Sequence, residues 1–585
     1  MAALFGGAPT QRERYDAAPL ASWAQKLRKR LKQGGANFFI LHGAGVRDLH
    51  PLGPRRYGAM REFLAESLFV DRGAIITYDR GAGIRFTDPG VENDFKTLLK
   101  AYDKLNGTSL AQSQPRDPDR ALQLIESYVR NQLTENRRFS ACVIVDYGET
   151  VAPAGEPGQL SVEDRGSIVT LRRWASDPLF LGRDVTFCLI AESTAALNAS
   201  LVADARTVEV AVPVPSEDER YAFLTGRGGT PDTFARIDAR RAAVLTGGLT
   251  RLHLESLLAE AEAGGAALDP EALTREKKRL IEESSGGLLE FMTSDVGLDA
   301  VAGHEAAKAL LREAAQALRQ GRLDVVPMGF LICGPVGTGK SFIVRCFAAE
   351  IGIPVIELRN FRSMWQGQTE ANLERVLDIL DALGPVAVVI DEADAALGSR
   401  EAGGHDSGVS ERVFASLAAF MGDTRRRGRV LWFLMTSRPD LVPVDLKRQG
   451  RAEEHLALFP PATPEERAVV FEALRRRLKI PIAPDVQPAA LFGDASSLSA
   501  ADIESILVRA SRRMAAAGHQ TLGTVLLAEL IRDFQPPAYP LEIEYQKLIA
   551  AFECTSRALL PSELAAMSNE AIAARLAELR AALGR

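Results

Sequence analysis

The sequence predicts an α/β chain made of two similar sheet-and-helix modules, each followed by a smaller group of helices. The first observation is an apolar run at 328–333 that ends in Gly334-Pro-Val-Gly-Thr-Gly-Lys-Ser341, a full match to G-x-x-x-x-G-K-[ST] between a predicted strand and a predicted helix. The second is Val386-Ala-Val-Val-Ile390, a continuous apolar run that ends in Asp391-Glu392 and has the form of a buried parallel strand delivering carboxylates to its C-terminal edge. The third is that the first half repeats this outline, with Phe38-Phe-Ile-Leu before Gly43-Ala-Gly45 and Cys142-Val-Ile-Val before Asp146. At 585 residues the chain exceeds what one core usually organises, so two to four domains are expected.

Composition narrows the function classes. An apolar share of 46% and a charged share of 25% are those of an ordinary globular protein. The net charge of -6 offers no basic surplus for displacing counterions, so nucleic acid is not the expected partner, although a local basic groove stays open. The five cysteines are widely spaced and mostly sit in apolar runs, which favours reduced core thiols over disulfides or a zinc site. Residues 1–13 lack a secretory apolar region and no stretch supplies the roughly 18 apolar residues of a membrane span, so a cytoplasmic protein is expected.

Along the first half, residues 1–30 read as a helical extension, 31–215 as an α/β domain and 216–290 as helices and a linker. The loop after Leu41 has the strand-then-glycine form of a phosphate loop but no Gly-Lys-Ser/Thr, and Arg47 is a poor substitute for a compact ammonium at a set position. Tyr147 follows Asp146 where a water-polarising carboxylate would stand. The runs 185–191 and 208–212 fit a fourth and a fifth strand, while 275–285 is a charged helical segment leading into Gly286-Gly-Leu-Leu-Glu-Phe291, read as linker. An α/β domain unrelated to the second half is the other reading of this region.

The second half carries the chemistry. Gly334, Pro335, Val336, Gly337, Thr338 and Gly339 form a loop whose glycines let backbone N–H groups turn toward phosphates; Lys340 can reach the β/γ oxygens and Ser341 can offer its hydroxyl to Mg²⁺. A helix starting near Lys340 adds its positive end. Asp391 would help hold Mg²⁺ through water and Glu392 is placed to polarise an attacking water. ATP and Mg²⁺ are therefore the expected cofactors, with helix capping the plainer reading of the acidic pair.

From about 299 to 532 the sequence resembles an AAA ATPase module of the protein-remodelling clade that includes FtsH, katanin and valosin-containing protein. The resemblance implies a parallel five-stranded sheet of order 5-1-4-3-2 flanked by helices, here at 291–460, a small helical lid at 461–535, and a C-terminal helical extension at 536–585. The stretch Leu298-Asp-Ala-Val-Ala-Gly-His304 resembles the clade's entry motif, which implies that Ala302 and Gly303 cup the adenine. Thr436-Ser-Arg-Pro-Asp440 resembles the sensor-1 segment, with Ser437 in place of the usual asparagine; its shorter hydroxyl implies slower hydrolysis. Arg448-Gln-Gly-Arg451 stands in register with Arg-Pro-Gly-Arg, which implies that Arg448 and Arg451 act as arginine fingers in a neighbouring subunit of a homo-oligomer, a hexamer. A pair of solvated arginines is the alternative. Ser499 and Asp502 resemble the start of the lid motif and also make a sound helix cap.

Met364-Trp-Gln-Gly-Gln-Thr-Glu370 resembles the first pore loop, with Trp365 as the aromatic that grips a threaded polypeptide, followed by Gln366 and Gly367; a buried core tryptophan is the alternative. Residues 399–408 would form a second pore loop. The first half then reads as a degenerate AAA module, an arrangement similar to the plastid and cyanobacterial open-reading-frame AAA proteins. Together these resemblances imply an ATPase that remodels, unfolds or disassembles a protein client as a ring, with turnover only in the second module. A nucleotide-gated scaffold that threads nothing and a nucleic-acid motor or clamp-loader-like ATPase are the rival classes. The C-terminal helices could dock on a neighbour, bind a partner or pack on the lid.

Overall fold

The computed structural model describes residues 20–53, 55–227, 237–264, 270–359, 369–397, 407–493, 498–536 and 539–584. The chain forms two compact units, residues 1–285 with 368–383, and residues 286–367 with 384–585.

The first unit is built on strands β1 (Phe38–His42), β2 (Ala74–Asp79), β3 (Gly83–Phe86), β4 (Ala141–Val145), β5 (Val185–Ile190) and β6 (Thr207–Ala211), in the order β3-β2-β4-β5-β1-β6. All neighbours are parallel except the β2-β3 hairpin, where Tyr78 faces Ile84. Successive strand residues point to opposite faces, so a strand buried on both sides reads as an unbroken apolar run. Phe38, Ile40, Val143 and Phe187 accordingly enter one core, and Phe39, Leu41, Ile144 and Cys188 the other. Helix Pro118–Glu135 covers the first face with Leu122, Ile125 and Val129, and helix Ser22–Gln33 covers the second with Trp23 and Leu27, each at helical spacing. Four helices, Glu217–Gly226, Ala239–Leu245, Arg251–Gly264 and Pro270–Ser284, follow the sheet.

The second unit repeats the design with β7 (Leu289–Met292), β8 (Gly329–Cys333), β9 (Val355–Leu358), β10 (Val386–Ile390), β11 (Val430–Thr436) and β12 (Glu454–Ala457), in the order β12-β8-β11-β10-β9-β7. Its five parallel strands have the expected 5-1-4-3-2 order. Among the described residues each sheet nevertheless holds a sixth strand beside the five parallel ones. The segment read as linker supplies β7, which pairs antiparallel with β9 so that Phe291 faces Ile356. In both units the added strand covers the second parallel strand, whose outer N–H and C=O groups would otherwise lie open at the sheet edge.

Helix α1 (Lys340–Ile351) follows β8. The lid packs α2 (Pro464–Arg477) and α3 (Ala500–Ala517) around Phe471, Phe492, Ile503 and Leu507. After it, α4 (Pro540–Glu553) and α5 (Asn569–Ala582) bury Tyr545, Leu548, Ile549, Ile572, Leu576 and Leu579 against Cys333, Ala457 and Phe459. The extension thus packs on the sheet beside β8 and β12. All five cysteines are free thiols, four of them buried. Among the described residues no helix is long and apolar enough to cross a membrane.

Candidate active site

The loop between β8 and α1 is shaped by its glycines. Gly334 has φ 144°, and a Cβ there would lie 2.1 Å from the Leu458 carbonyl oxygen, so no other residue fits. At Gly337 a Cβ would meet Ser499 Oγ at 2.8 Å, because the start of α3 in the lid closes directly onto the loop. Ser499 begins that helix with a capping box, its hydroxyl donating to Asp502 Oδ2 at 2.6 Å while accepting from the Asp502 amide. Lys340 donates from Nζ to the carbonyls of Gly334 (2.9 Å) and Pro335 (3.0 Å), and Thr338 Oγ1 donates to Pro335 as well (2.9 Å). Burial holds the Lys340 ammonium below the ordinary lysine value, with Asp391 opposing that shift.

The structure brings the acidic pair to this loop. Ser341 Oγ donates to Asp391 Oδ2 at 2.8 Å, and Asp391 Oδ1 accepts the Glu392 amide at 2.8 Å. Glu392 itself is exposed and held at φ 48°, a left-handed conformation that non-glycine residues seldom adopt. On the next strand Thr436 Oγ1 donates to Asp394 Oδ1 at 2.6 Å and accepts the Arg438 amide at 2.8 Å; Ser437 lies half-buried beside it. Ala302 packs against the lid core and Gly303 has φ 70°. Their neighbour His304 was not singled out in the sequence. Burial lowers its imidazole pKa, and a hydrogen bond to the backbone at Thr338, inside the loop, partly offsets this. A histidine after Ala-Gly in the entry segment was the available signal.

The two arginines differ. Arg448 has 60% of its side chain exposed and meets the equally open Asp445 at 3.5 Å. Arg451 is 12% exposed, donates to the Asp445 carbonyl at 2.5 Å and lies against Gly422. Burial and then the charge of Arg448 lower its pKa. Trp365, Gln366 and Gly367 lie outside the described residues, as do residues 399–406 of the second expected pore loop.

In the first unit the corresponding loop is used differently. The amides of Gly43 and Gly45 donate to the carbonyls of Glu192 (3.1 Å) and Val212 (2.9 Å), those of Val46 and Asp48 close turns on Gly43 and Gly45, and that of Ala44 donates to the Asp378 carboxylate (3.2 Å). A hairpin, His50–Gly53 with Arg56–Gly58, follows instead of a helix. Arg47 is spent on Asp146 (2.5 Å) and Glu149 (3.4 Å), its guanidinium 3.9 Å above the Tyr147 ring. Asp146-Tyr147 keeps the backbone of Asp391-Glu392: Tyr147 has φ 53° and its amide donates to Asp146 Oδ1 at 2.8 Å.

A glycine loop with a half-buried lysine, an adjacent Ser-Asp pair at a parallel sheet edge and a lid closing on the loop make up a phosphate-loop nucleotide site. Residues 330–459 match the family of ATPases associated with various cellular activities, residues 9–213 the N-terminal Rossmann-like domain of AAA+ chaperones, and residues 218–286 the second helical domain of AAA+ chaperones. The second half thus resembles the AAA ATPases, and the first half the N-terminal domains of AAA+ chaperones. The chain is similar to a cell division cycle protein 48 homolog from Archaeoglobus fulgidus, 26% identical over 395 residues covering 62% of this chain and 53% of that protein. It is also similar to the ATP-dependent zinc metalloprotease FtsH of Marinobacter nauticus (31% over 229 residues, 37% and 35% of the two chains) and to an ATPase family protein 2 homolog from Caenorhabditis elegans (27% over 277 residues, 45% and 37%). These matches span about half or less of the relatives' own length.

Proposed function

We propose that the second unit binds Mg-ATP on the 334–341 loop and hydrolyses it to drive remodelling of a protein client by a ring of identical subunits, with the first unit taking no part in turnover. The observation that carries this reading is the 2.8 Å bond between Ser341 and Asp391, which places a hydroxyl and a carboxylate together beside Lys340. That donor set fits Mg²⁺, an oxygen-loving cation that keeps several waters. When bound, the ion would neutralise phosphate charge.

The protein's own groups would do the rest. Lys340 is held at the loop by two carbonyl contacts that phosphate oxygens can replace, and its buried charge gains from an anionic partner. Glu392 presents an exposed carboxylate that can accept a proton from water, while Ser437 and Thr436 line the adjoining strand end. Arg448 is free to reach a neighbour's site, and Arg451 holds the segment that presents it. An inert first unit is supported by its bonded loop amides, the hairpin in place of a helix start and the self-paired Arg47.

Titration with a fluorescent ATP analogue should give one bound nucleotide per chain, falling to none in Lys340→Ala. Glu392→Gln should bind ATP with ordinary affinity yet lower turnover about 100-fold or more, as expected for loss of a general base. Stimulation of the wild-type ATPase by unfolded polypeptide is expected; stimulation by DNA alone would place the protein among nucleic-acid motors. A second nucleotide that survives Lys340→Ala would refute the inert first unit.

A further inference from the structure

The C-terminal extension touches three separate segments of the nucleotide site through one helix. Gln546, 6% exposed, accepts a hydrogen bond on Oε1 from the Val336 amide of the phosphate loop at 3.1 Å, and its Nε2 donates to Glu542 Oε1 at 3.3 Å. One residue earlier, the fully buried Tyr545 donates from its hydroxyl to Asp440 Oδ2 at 2.8 Å, at the end of the segment that follows β11. Asp440 also receives both arms of Arg438, at 3.0 and 2.8 Å, and the Arg438 guanidinium stands 5.0 Å from the Tyr545 ring. Two turns on, Glu553 pairs with Lys447 at 2.9 Å, next to Arg448, and its backbone carbonyl meets His455 Nδ1 at 2.9 Å. Glu542, Gln546 and Glu553 are spaced i, i+4 and i+11, so they lie along one stripe of α4. The Tyr545 hydroxyl is fixed in turn by Arg580 of α5 at 3.0 Å, which carries the brace into the last helix.

We infer that α4 is a brace of the ATPase site in which Gln546 positions the phosphate loop and Tyr545 positions the segment carrying Ser437. Packing alone would need neither group: Leu548 and Ile549 supply the apolar contact, whereas a buried amide and a buried phenol are retained only where each finds its hydrogen-bond partner. Val336 sits in the loop with its side chain exposed, and the Gln546 bond ties its backbone to α4. The three contacts therefore set the distance between the phosphate loop, the strand end beside it and the Arg448 segment within one subunit.

The inference rests on 334–341 being the nucleotide loop, and the test separates the two. In the full-length protein, Gln546→Leu should raise the KM for ATP about three- to tenfold with kcat within about twofold, the range that loss of one neutral hydrogen bond supplies. Tyr545→Phe should instead lower kcat by a similar factor and leave KM in place. Leu548→Ala, which removes packing only, should lower the melting temperature while the folded protein keeps both constants. Val336→Pro deletes the donor, and in that background Gln546→Leu should add no further rise in KM. Unchanged KM and kcat in Gln546→Leu and Tyr545→Phe, or a Gln546→Leu effect that persists with Pro at 336, would overturn the brace. Turnover surviving in Lys340→Ala would overturn the site assignment instead.

Discussion

Glu392 sits at φ 48° because Asp391 turns both carboxylate oxygens to neighbours, one to the Ser341 hydroxyl and one to the Glu392 amide. A side chain in this region costs about 1–2 kcal/mol. The same cost recurs at Tyr147, φ 53°, whose side chain carries no carboxylate, so the strained turn belongs to the corner after the strand and not to the residue placed on it. Glu392→Gly should therefore abolish hydrolysis without lowering the melting temperature, whereas the β-branched Glu392→Val should melt below Glu392→Gln; calorimetry on the three variants checks the order. The acidic pair was legible in the sequence because a five-residue apolar run delivers it to the sheet edge. The bond from Thr436 to Asp394 was not, since it joins a strand end to a helix 42 positions away.

At the scale of elements, the parallel strands could be read because strands buried on both faces leave continuous apolar runs, whereas their order was implied by the resemblance to the AAA modules. The edge strand β7 could not: Leu-Glu-Phe-Met is four residues long, half-exposed, and defined by the pairing it completes. Strand β12 is anchored by a contact of the same invisible kind. Arg427 grips Glu453 with both arms (2.9 and 2.6 Å), and the amides of Met328 and Gly450 donate to the same carboxylate at 3.0 Å, tying the starts of β8 and β12 together. Burial raises the Glu453 pKa, yet Arg427 and these amides outweigh it and hold the carboxyl below its ordinary range. A depressed carboxyl contributes stability that is present above its unfolded value, about 4.3, and is lost as pH falls through the lower folded value. Glu453→Gln should thus melt well below wild type at pH 7, and the gap should narrow as the pH drops below about 4.3, as thermal melts across that range would record.

At the scale of the whole molecule, the two units share a strand order, but in the first the amides of Gly43 and Gly45 are bonded to the Glu192 and Val212 carbonyls. If the second unit alone turns over ATP, as proposed, the ring needs each subunit to complete the next. Arg448 suits that task because its guanidinium is open to solvent, whereas Arg451 is committed to Asp445 within its own chain. Mixing supplies the test. Arg448→Ala and Lys340→Ala chains should each be inactive alone, yet co-assembled they should recover ATPase activity, since an intact loop in one can meet an intact arginine from the other. Arg451→Ala should behave otherwise, with a lowered melting temperature and less recovery on mixing, because its loss loosens the segment that carries Arg448. A mixture of Arg448→Ala and Lys340→Ala that stays silent, in rings shown by native mass measurement to contain both chains, would confine the site to a single subunit.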